Sequence, residues 1–443
     1  MKRKIESKLL ISGLAIFGML TMGLQSATAD SVTNLTLAAL SGIDTNLKPV
    51  IAQWNAENPS VQITVQTIPA GLSTGQTVSW FAQQAQSGTA PDLFNNLDTY
   101  ANSLADLGFS QDLKKLQGSA GTTLKLTDFN KFFLSSYVPL NEPAQVTGLP
   151  IAADAVVMFY NKDIFKKAKV AMPTSKWTYA QEMSACVAIS KWGATQKPQI
   201  WGLSGAPGGG GTSIWQAQFN PMLRDFGALV YDKNSQTSMI GSPAADKAWA
   251  LLLQPWTNGC IPKYSIESGK NAPSFSGGQS AMEASVRALL PSYKATIKNF
   301  DVVLLPHVNN LPTNGGGSYG FGIYSGSKNQ EAAWEFLNWF YTTTNGGLNT
   351  LETNYSTVPP NAQGIANGTW RKLPAPPANV QAFADAISQS FIAPALPGNG
   401  NEVMDQALQT AEQEVILKHV SIAKAFLTAQ NTVNAAIKDA LNK

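Results

Sequence analysis

The stretch Gly148–Phe165, which reads GLPIAADAVVMFYNKDIF, decides the fold. Pro150 has a fixed φ and keeps the residue before it extended, so the first half predicts a short apolar strand. A second apolar run follows at Val156–Asn161, with Asp154 at the bend between the two runs. The stretch lies about one third of the way along the chain. It predicts a crossover between two structural units, with a carboxylate held between them.

Length and composition indicate two packed domains with a weakly charged surface. The 443 residues exceed what one hydrophobic core usually organises, and 44% of them are hydrophobic. Charged residues make up 13% of the chain, about half of the usual share, and the net charge is +3. No basic cluster follows the N-terminus, so nucleic acid is not expected as a partner. The low charge content fits either an acidic medium, where carboxylates titrate, or compositional drift.

The N-terminal segment has the three parts of a secretory signal. Basic residues at positions 2–4 precede an apolar stretch from Leu9 to Leu24, and Ala27-Thr28-Ala29 is a cleavage site of small residues. We therefore expect a signal peptide at residues 1–29 and an exported protein, periplasmic or extracellular. No cysteine stands at the cleavage site, so a lipid anchor there is not expected.

Predicted strands and helices alternate between residues 34 and 98. Leu35–Leu40 predicts a buried strand, Asp44–Trp54 a helix capped by its first residue, and Val61–Ile68 a half-buried strand of period two. Thr77–Gln86 predicts a second helix and Pro91–Phe94 the start of a third strand. This βαβαβ order predicts the α/β fold class with a parallel sheet. Ligands bind beyond the carboxyl ends of the strands in such sheets.

Two further predictions concern the second half of the chain. Cys186 and Cys260 can pair in an exported protein, and such a bridge would stabilise the fold by about 3–4 kcal/mol. Pairing and free thiols both stay open, because spacing alone does not bring two sulfurs together. Glu402–Leu441 predicts a helical segment long enough to contain a break.

Residues for the common catalytic routes are sparse. His307 and His419 are the only histidines, and neither accompanies a Ser or Cys in a recognisable motif. No Cys/His cluster has metal-ligand spacing, and Gly208–Gly211 lacks the Lys-Ser/Thr that completes a phosphate loop. We therefore expect no enzyme activity, no metal and no cofactor. A pair of carboxylates meeting across a cleft would still suit glycoside hydrolysis.

Short polar side chains follow the predicted strands. Asp44, Asn96 and Asp98 stand where strands end, and Asp154 stands at the crossover. Carboxylates and amides in such places pair with sugar hydroxyls, although Asp44 and Asp98 also suit the role of a helix cap or turn residue. Trp215, beside the glycine run, either stacks on a sugar ring or packs in the core.

Several stretches, taken together, resemble the extracellular solute-binding proteins that serve sugar ABC importers, the maltose-binding protein superfamily. They follow the family's order and span nearly the whole chain after residue 30. The stretches are Gly148–Pro150 with Tyr160–Phe165, Pro173 with Trp177 and Thr178, Gly278–Met282, Lys328–Leu337 and, more weakly, Pro91–Leu93.

The resemblance implies a periplasmic-binding-protein-like fold of type II, in which two α/β lobes joined by a multi-strand hinge close on a ligand. It implies an N-terminal lobe of residues 30–152 and 307–360 and a C-terminal lobe of residues 153–306 and 361–443. Six residues match ligand-facing positions of the family: Asn96, Asp98, Asp154, Gly316, Gly317 and Tyr319.

The chain departs from the family at one point. Where many relatives carry a Gly-x-Trp that stacks on sugar, this chain has Glu283–Arg287. Arg287 then either faces an acidic or phosphorylated sugar or lies solvated on a helix.

The function that the resemblance implies is that of a monomeric receptor. Such a receptor captures a mono- or oligosaccharide and delivers it to the membrane permease of an ABC importer. The alternatives are a secreted carbohydrate-active enzyme and a receptor for a non-sugar solute such as a polyamine, a peptide or a polyol phosphate.

Overall fold

The computed structural model of the protein describes residues 32–204, 216–263, 273–309 and 311–442. The expected signal peptide at residues 1–29, the glycine run at 208–211 and Trp215 lie outside the described residues.

The strands are short in the middle of the chain and longer at its start. They are β1 (Thr33–Leu40), β2 (Val61–Ile68), β3 (Leu93–Leu97), β4 (Leu149–Pro150), β5 (Asp154–Ala155), β6 (Val157–Asn161), β7 (Trp201–Leu203), β8 (Ser280–Ser285), β9 (Phe300–Val303), β10 (His307–Val308), β11 (Leu311–Pro312), β12 (Gly316–Gly317) and β13 (Tyr319–Ile323).

The longest helices end the chain. The helices are α1 (Ile43–Glu57), α2 (Thr74–Gln86), α3 (Ala101–Asp106), α4 (Lys131–Leu134), α5 (Lys162–Ala168), α6 (Tyr179–Gly193), α7 (Gln216–Asp225), α8 (Pro243–Leu252), α9 (Gln254–Thr257), α10 (Leu290–Thr296), α11 (Gln330–Thr342), α12 (Gly347–Thr353), α13 (Ala362–Asn367), α14 (Gln381–Gln389), α15 (Gly400–Lys418) and α16 (Ile422–Leu441).

One sheet is built from the N-terminal strands, in the order β2-β1-β3-β13-β4. Strand β1 pairs in parallel with both β2 and β3, which confirms the predicted βαβαβ arrangement. Strand β13 returns from much later in the sequence and pairs antiparallel with β3 and β4. We call the unit around this sheet the N-terminal lobe; its core contains Leu37, Trp54, Phe321, Trp334 and Phe340.

A second sheet has the order β7-β8-β6-β9. Its central strand β6 is buried along its whole length and pairs antiparallel with β8 and β9. Helices α6, α8 and α16 contribute to its core, which contains Met158, Ile189, Trp249, Phe426 and Ile437. We call this unit the C-terminal lobe. The residue boundaries expected for the two lobes stay a prediction.

Backbone hydrogen bonds join the segments that run between the sheets. The N–H of Ile151 donates to the carbonyl of Tyr319, and the N–H of Ala153 donates to the carbonyl of Val358, both at 2.9 Å. Strand β12 pairs antiparallel with β5. Several extended segments therefore lie side by side at the predicted crossover, as a multi-strand hinge requires.

Of two local helix predictions, the structure contradicts the first and confirms the second. Helix α1 starts at Ile43 with Gly42, at φ 95°, in the N-cap position, so Asp44 lies in the first turn and does not cap the helix. The predicted long C-terminal helix is broken, as expected, between Lys418 and Ile422, where His419 has φ 55°.

Candidate functional site

Asp154 lies in the hinge between the two sheets. In strand β5 it pairs with Gly317 of β12, and its side chain is 6% exposed. Its Oδ1 has no hydrogen-bond partner among the described residues. Burial and the nearby Asp98 raise the pKa of Asp154 to about 7, and the guanidinium of Arg287 acts in the opposite direction. A buried carboxyl oxygen without a hydrogen bond is costly, and Asp154 therefore stands out among the polar groups of the hinge.

Asp98 approaches the same place from the N-terminal lobe, just after strand β3. The N–H of Ser318 donates to Asp98 Oδ2 at 3.0 Å. Burial raises the pKa of Asp98 to about 6, although the N–H groups of Ser318 and Thr99 lower it. A Cβ on Gly317 would lie 2.9 Å from Asp98 Oδ2, so a glycine is needed for the strand to pass. Asp98, Asp154 and strand β12 therefore form one cluster.

Asn96 and Tyr319 lie in the sheet beside this cluster. Asn96 is fully buried in β3, and its Nδ2 donates to the carbonyl of Thr147 at 3.1 Å. The Tyr137 hydroxyl donates to the Asn96 carbonyl at 3.2 Å and to Ser318 Oγ at 3.0 Å. Tyr319 is buried in β13. These contacts hold the glycine-rich strand in register against β3, so both residues support the cluster from the sheet side.

A cavity of about 370 Å³ opens beside the cluster, between the two lobes. Asp98 and Gly316 line it near the hinge. The N-terminal lobe also contributes Thr99, Asn102 and residues of the segment 135–143, and the opposite wall is formed by Asn220, Val230, Lys233, the segment 392–395, Asn401 and Met404. The carboxyl end of β3 thus opens toward the C-terminal lobe, as expected for an open α/β sheet.

The sequence analysis identified Asp98 and Gly316 among the residues that line this cavity and missed the others, of which Ser136 and Asn220 carry buried polar atoms. Ser136 lies in a short 3-10 turn at Ser135–Tyr137, and Asn220 lies in α7 before a proline within the helix. Ser136 Oγ and Asn220 Oδ1 are buried without a hydrogen-bond partner among the described residues, and both residues line the cavity. The two atoms belong to opposite walls, so they offer polar contacts from both lobes. The Asn-Pro pair inside an apolar helix was the only local signal for Asn220.

Asp44 does not line the cavity, in contrast to the sequence expectation. Its Oδ1 accepts hydrogen bonds from the N–H groups of Gly42 and Thr45, and its Oδ2 accepts one from the Thr67 hydroxyl at 2.9 Å. Burial alone would raise the pKa of Asp44, but these hydrogen bonds lower it overall. The side chain therefore holds the first turn of α1 against β2.

Arg287 is neither solvated nor part of the cavity lining. It lies in a 3-10 turn, is 2% exposed, and its Nε donates to the carbonyl of Thr357 at 3.0 Å. The guanidinium carbon lies 5.4 Å from the ring centroids of both Trp370 and Phe383. The expectation of a solvated helix position is wrong, because aromatic rings enclose this side chain. It acts on Asp154 through its charge.

The two cysteines form the disulfide that the sequence left open. Cys186 of α6 is bonded to Cys260, and Ser190 Oγ donates to the Cys260 carbonyl at 2.6 Å. The part of the chain that the structure describes contains no group of three His, Cys, Asp or Glu residues able to hold a metal ion. None of its helices has the length and apolar character needed to cross a membrane.

Comparison with known proteins identifies the family of the chain. A profile of the family described as bacterial extracellular solute-binding protein matches residues 39–346. A putative binding protein from Brucella abortus is 24% identical over 344 residues, which cover 75% of this chain and 76% of that protein.

Solved structures share the fold at low identity. An ABC substrate-binding protein from Listeria monocytogenes in complex with cycloalternan has a TM-score of 0.77 at 19% identity, covering 92% of this chain and 100% of that chain. The domain MalE from Bdellovibrio bacteriovorus bound to maltotriose has a TM-score of 0.71 at 16% identity, with coverages of 92% and 100%. A glycerophosphocholine complex of UgpB from Mycobacterium tuberculosis has a TM-score of 0.71 at 16% identity, with coverages of 92% and 99%. The fold is thus that of the type II periplasmic solute-binding proteins, and the chain belongs to the bacterial extracellular solute-binding protein family.

Proposed function

We propose that the chain is an exported, monomeric receptor of an ABC importer. In this proposal it captures a carbohydrate in the cavity between its lobes and delivers it to a membrane permease. The observation that carries the proposal is a pair of buried carboxyl groups at the hinge. Asp98 lines the cavity, and Asp154, which does not line it, lies close enough to feel the charge of Asp98 and has an Oδ1 without a hydrogen-bond partner among the described residues. Family membership supports a receptor, because the family consists of solute-binding proteins.

The chemistry of the cavity supports a ligand with many hydroxyl groups. Asp98, Ser136 and Asn220 offer carboxylate, hydroxyl and amide groups from both walls. Hydroxyl groups satisfy such donors and acceptors without bringing a charge into the cleft. Two structural relatives are complexes with cycloalternan and maltotriose, which are carbohydrates.

The volume supports a short ligand. A cavity of about 370 Å³ lies at the lower end of the range of about 300–1,000 Å³ that is usual for small-molecule sites. We therefore propose a mono- or short oligosaccharide as the captured form.

A second candidate ligand is a phosphorylated polyol. Lys233 lines the C-terminal wall of the cavity and supplies an ammonium group that attracts phosphate. One structural relative is a complex with glycerophosphocholine. Lys233→Ala separates the candidates, because it should abolish the binding of a phosphodiester and leave that of a neutral sugar nearly unchanged.

The experiment is a thermal-shift screen of sugars and polyol phosphates, followed by calorimetric titration of each hit. Asp154→Ala should weaken binding of the hit by about 1–3 kcal/mol, because the removed carboxylate pairs with ligand hydroxyls in a buried place. Asp44→Ala is the matched control, since both carboxylate oxygens of Asp44 accept hydrogen bonds within its own lobe, whereas Asp154 Oδ1 accepts none among the described residues.

Three results would contradict the proposal. Unchanged affinity in Asp154→Ala would remove this residue from the site. Equal losses in both aspartate variants would indicate a general effect on the fold. Release of reducing ends from an oligosaccharide would favour the secreted enzyme.

A further inference from the structure

Helix α15 belongs to the C-terminal lobe but reaches the N-terminal lobe with its first turns. Met404 and Leu408 pack in the C-terminal core, and α15 packs along α16. From the same turns, Glu402 and Asp405 face the N-terminal lobe. This geometry makes the start of α15 a bridge across the opening between the lobes.

Hydrogen bonds join the two sides of this bridge. Ser103 Oγ of α3 donates to Glu402 Oε1 at 2.9 Å, and Thr74 Oγ1 of α2 donates to Asp405 Oδ2 at 3.0 Å. Asn401 Nδ2 donates to the carbonyl of Thr99 at 3.1 Å. All three contacts connect elements of different lobes at this edge of the cleft.

The contact buries the two carboxyl groups. Glu402 is 8% exposed, its Oε2 has no hydrogen-bond partner among the described residues, and a Cβ on Gly75 would lie 3.1 Å from Glu402 Cγ. Burial raises the pKa of Glu402, and Asp106 adds to this effect. Burial also raises the pKa of Asp405 to about 6, with a further contribution from the charge of Glu402.

The charged groups that face the pair from other elements are predominantly acidic. Helix α3 contributes Asp106, and α2 carries no ionisable side chain. Asn141 donates a hydrogen bond to Asp106, and the charged residues further along the neighbouring segments, Glu142, Lys438 and Asp439, are exposed to solvent. None of the salt bridges among the described residues involves Glu402, Asp405 or Asp106.

We propose that Glu402 and Asp405 form a proton-operated latch that holds the cleft closed when they are protonated and weakens its closure when they are charged. Protonation removes the repulsion within the acidic cluster and leaves the hydrogen bonds from Ser103 and Thr74 in place, because a neutral carboxyl oxygen still accepts. Charged carboxylates favour the open form instead, where water solvates them. Closure therefore takes up protons from solution.

The direction of the pH dependence follows from this uptake. For Asp405 the pKa is raised from 3.8 in a solvated state to about 6 in the closed state. Its contribution to closure is fully present below the solvated value and is lost as the pH rises between about 4 and 6. Glu402 acts in the same direction.

The latch is coupled to the ligand cavity through shared turns of helix. Asn401 and Met404 line the cavity, and Glu402 and Asp405 alternate with them along α15. Opening the latch therefore withdraws part of the cavity wall. This inference deepens the proposed receptor function by adding a regulation of its cleft, and its test uses no ligand, so the two proposals fail independently.

The test is small-angle X-ray scattering of the unliganded protein between pH 4 and pH 8. The radius of gyration of the wild type should decrease on acidification, with a midpoint between about pH 4 and 6. The double variant Glu402→Gln/Asp405→Asn mimics the protonated pair, so it should stay compact over the whole range. Glu414→Gln on the same helix is the matched control and should behave as the wild type.

A second double variant tests whether loss of the hydrogen bonds opens the cleft. Thr74→Val/Ser103→Ala removes the hydroxyl donors, so its radius of gyration should remain large at pH 4.5. Circular dichroism verifies that both double variants are folded. A wild-type radius that does not change with pH would overturn the proposal. The same would follow if the Gln/Asn double variant kept the full wild-type pH response.

Discussion

The carboxylate of Asp98 leaves no room for a side chain at position 317, which is a glycine. Strand β12 passes so close to Asp98 that a Cβ at this position would lie 2.9 Å from the carboxylate oxygen. The backbone next to it, at Ser318, donates a hydrogen bond to the same oxygen. The lack of a side chain at position 317 therefore helps to set the position of the Asp98 carboxylate.

A substitution at this position tests that role. Gly317→Ala should displace the Asp98 carboxylate, because a Cβ contact below 3 Å forces a shift. We expect a loss of ligand affinity of about 1 kcal/mol, the usual value of one hydrogen bond, with the melting temperature nearly unchanged. Calorimetric titration with a ligand from the sugar screen measures the loss. Gly277→Ala, where the added Cβ meets Ser274 at an ordinary 3.4 Å, is the control; an equal effect in both variants would contradict the argument.

For single residues, the sequence predicted a location in the fold where the adjacent residues along the chain determine that location. Asp154 was found because Pro150 and two apolar runs mark a crossover. Ser136 and Asn220 were not found, since their place at the cavity depends on how distant elements pack. Arg287 was misjudged for the same reason: its burial results from Trp370 and Phe383, which lie about 80 to 100 residues further along the chain.

Among the elements, helix α6 and the segment after α9 are joined by the disulfide. The bond links residues separated by 74 positions, and Ser190 ties the same segment to α6 through the Cys260 carbonyl. A long loop loses much of its freedom in the unfolded chain when it is closed. The covalent link therefore stabilises the core of the C-terminal lobe, in which both cysteines are buried.

Removal of this link should lower stability without changing the cleft. Cys186→Ser/Cys260→Ser should reduce the free energy of unfolding by about 4 kcal/mol, from the loop-closure entropy of a loop of this length. Denaturant unfolding measures the change, and reduction of the wild type under the same conditions should reproduce it. A loss far below 1 kcal/mol in both experiments would show that the loop is already restrained by packing.

Elements were easier to predict than their ends. The alternation of apolar strands and amphipathic helices gave the order of the parallel strands, because period two and period 3.6 differ clearly over eight residues or more. The N-cap of α1 was misplaced by two residues, since Gly42 rather than Asp44 takes this position. Strand β13 could not be paired from local patterns, because its partners β3 and β4 are more than 150 residues away.

For the whole molecule, the hinge explains why the buried acids collect in the middle. Asp98 and Asp154 lie in the hinge region, Asp405 bridges the lobes, and Glu182 is 4% exposed in the C-terminal lobe. Burial raises the pKa of Asp98 and Asp405 to about 6, of Asp154 to about 7 and of Glu182 to about 8. In all four carboxyl groups, folding thus shifts the balance toward the neutral form relative to a solvated carboxyl group.

This preference decides the pH dependence of stability. A carboxyl group whose pKa is raised by folding contributes stability below its ordinary value of 3.8 or 4.5, and this contribution is lost as the pH rises through the raised value. We therefore expect the unliganded protein to be most stable near pH 4 to 5 and its melting temperature to fall by about 3 °C or more toward pH 8. Asp44 acts in the opposite direction, but only at lower pH, because its pKa is lowered.

Glu182 isolates this effect from both the cleft and the latch. Burial alone raises its pKa, so Glu182→Gln should flatten the fall of the melting temperature between about pH 5 and 8. Glu331→Gln, on the exposed side of α11, should leave the profile unchanged. A wild-type melting temperature that drops steadily from pH 7 to pH 4.5 would contradict the prediction and favour compositional drift as the origin of the low charge content. A melting temperature that is highest in the acidic range would instead favour an acidic medium as the common reason for the low charge content and for the buried carboxyl groups. In such a medium the carboxylates are protonated.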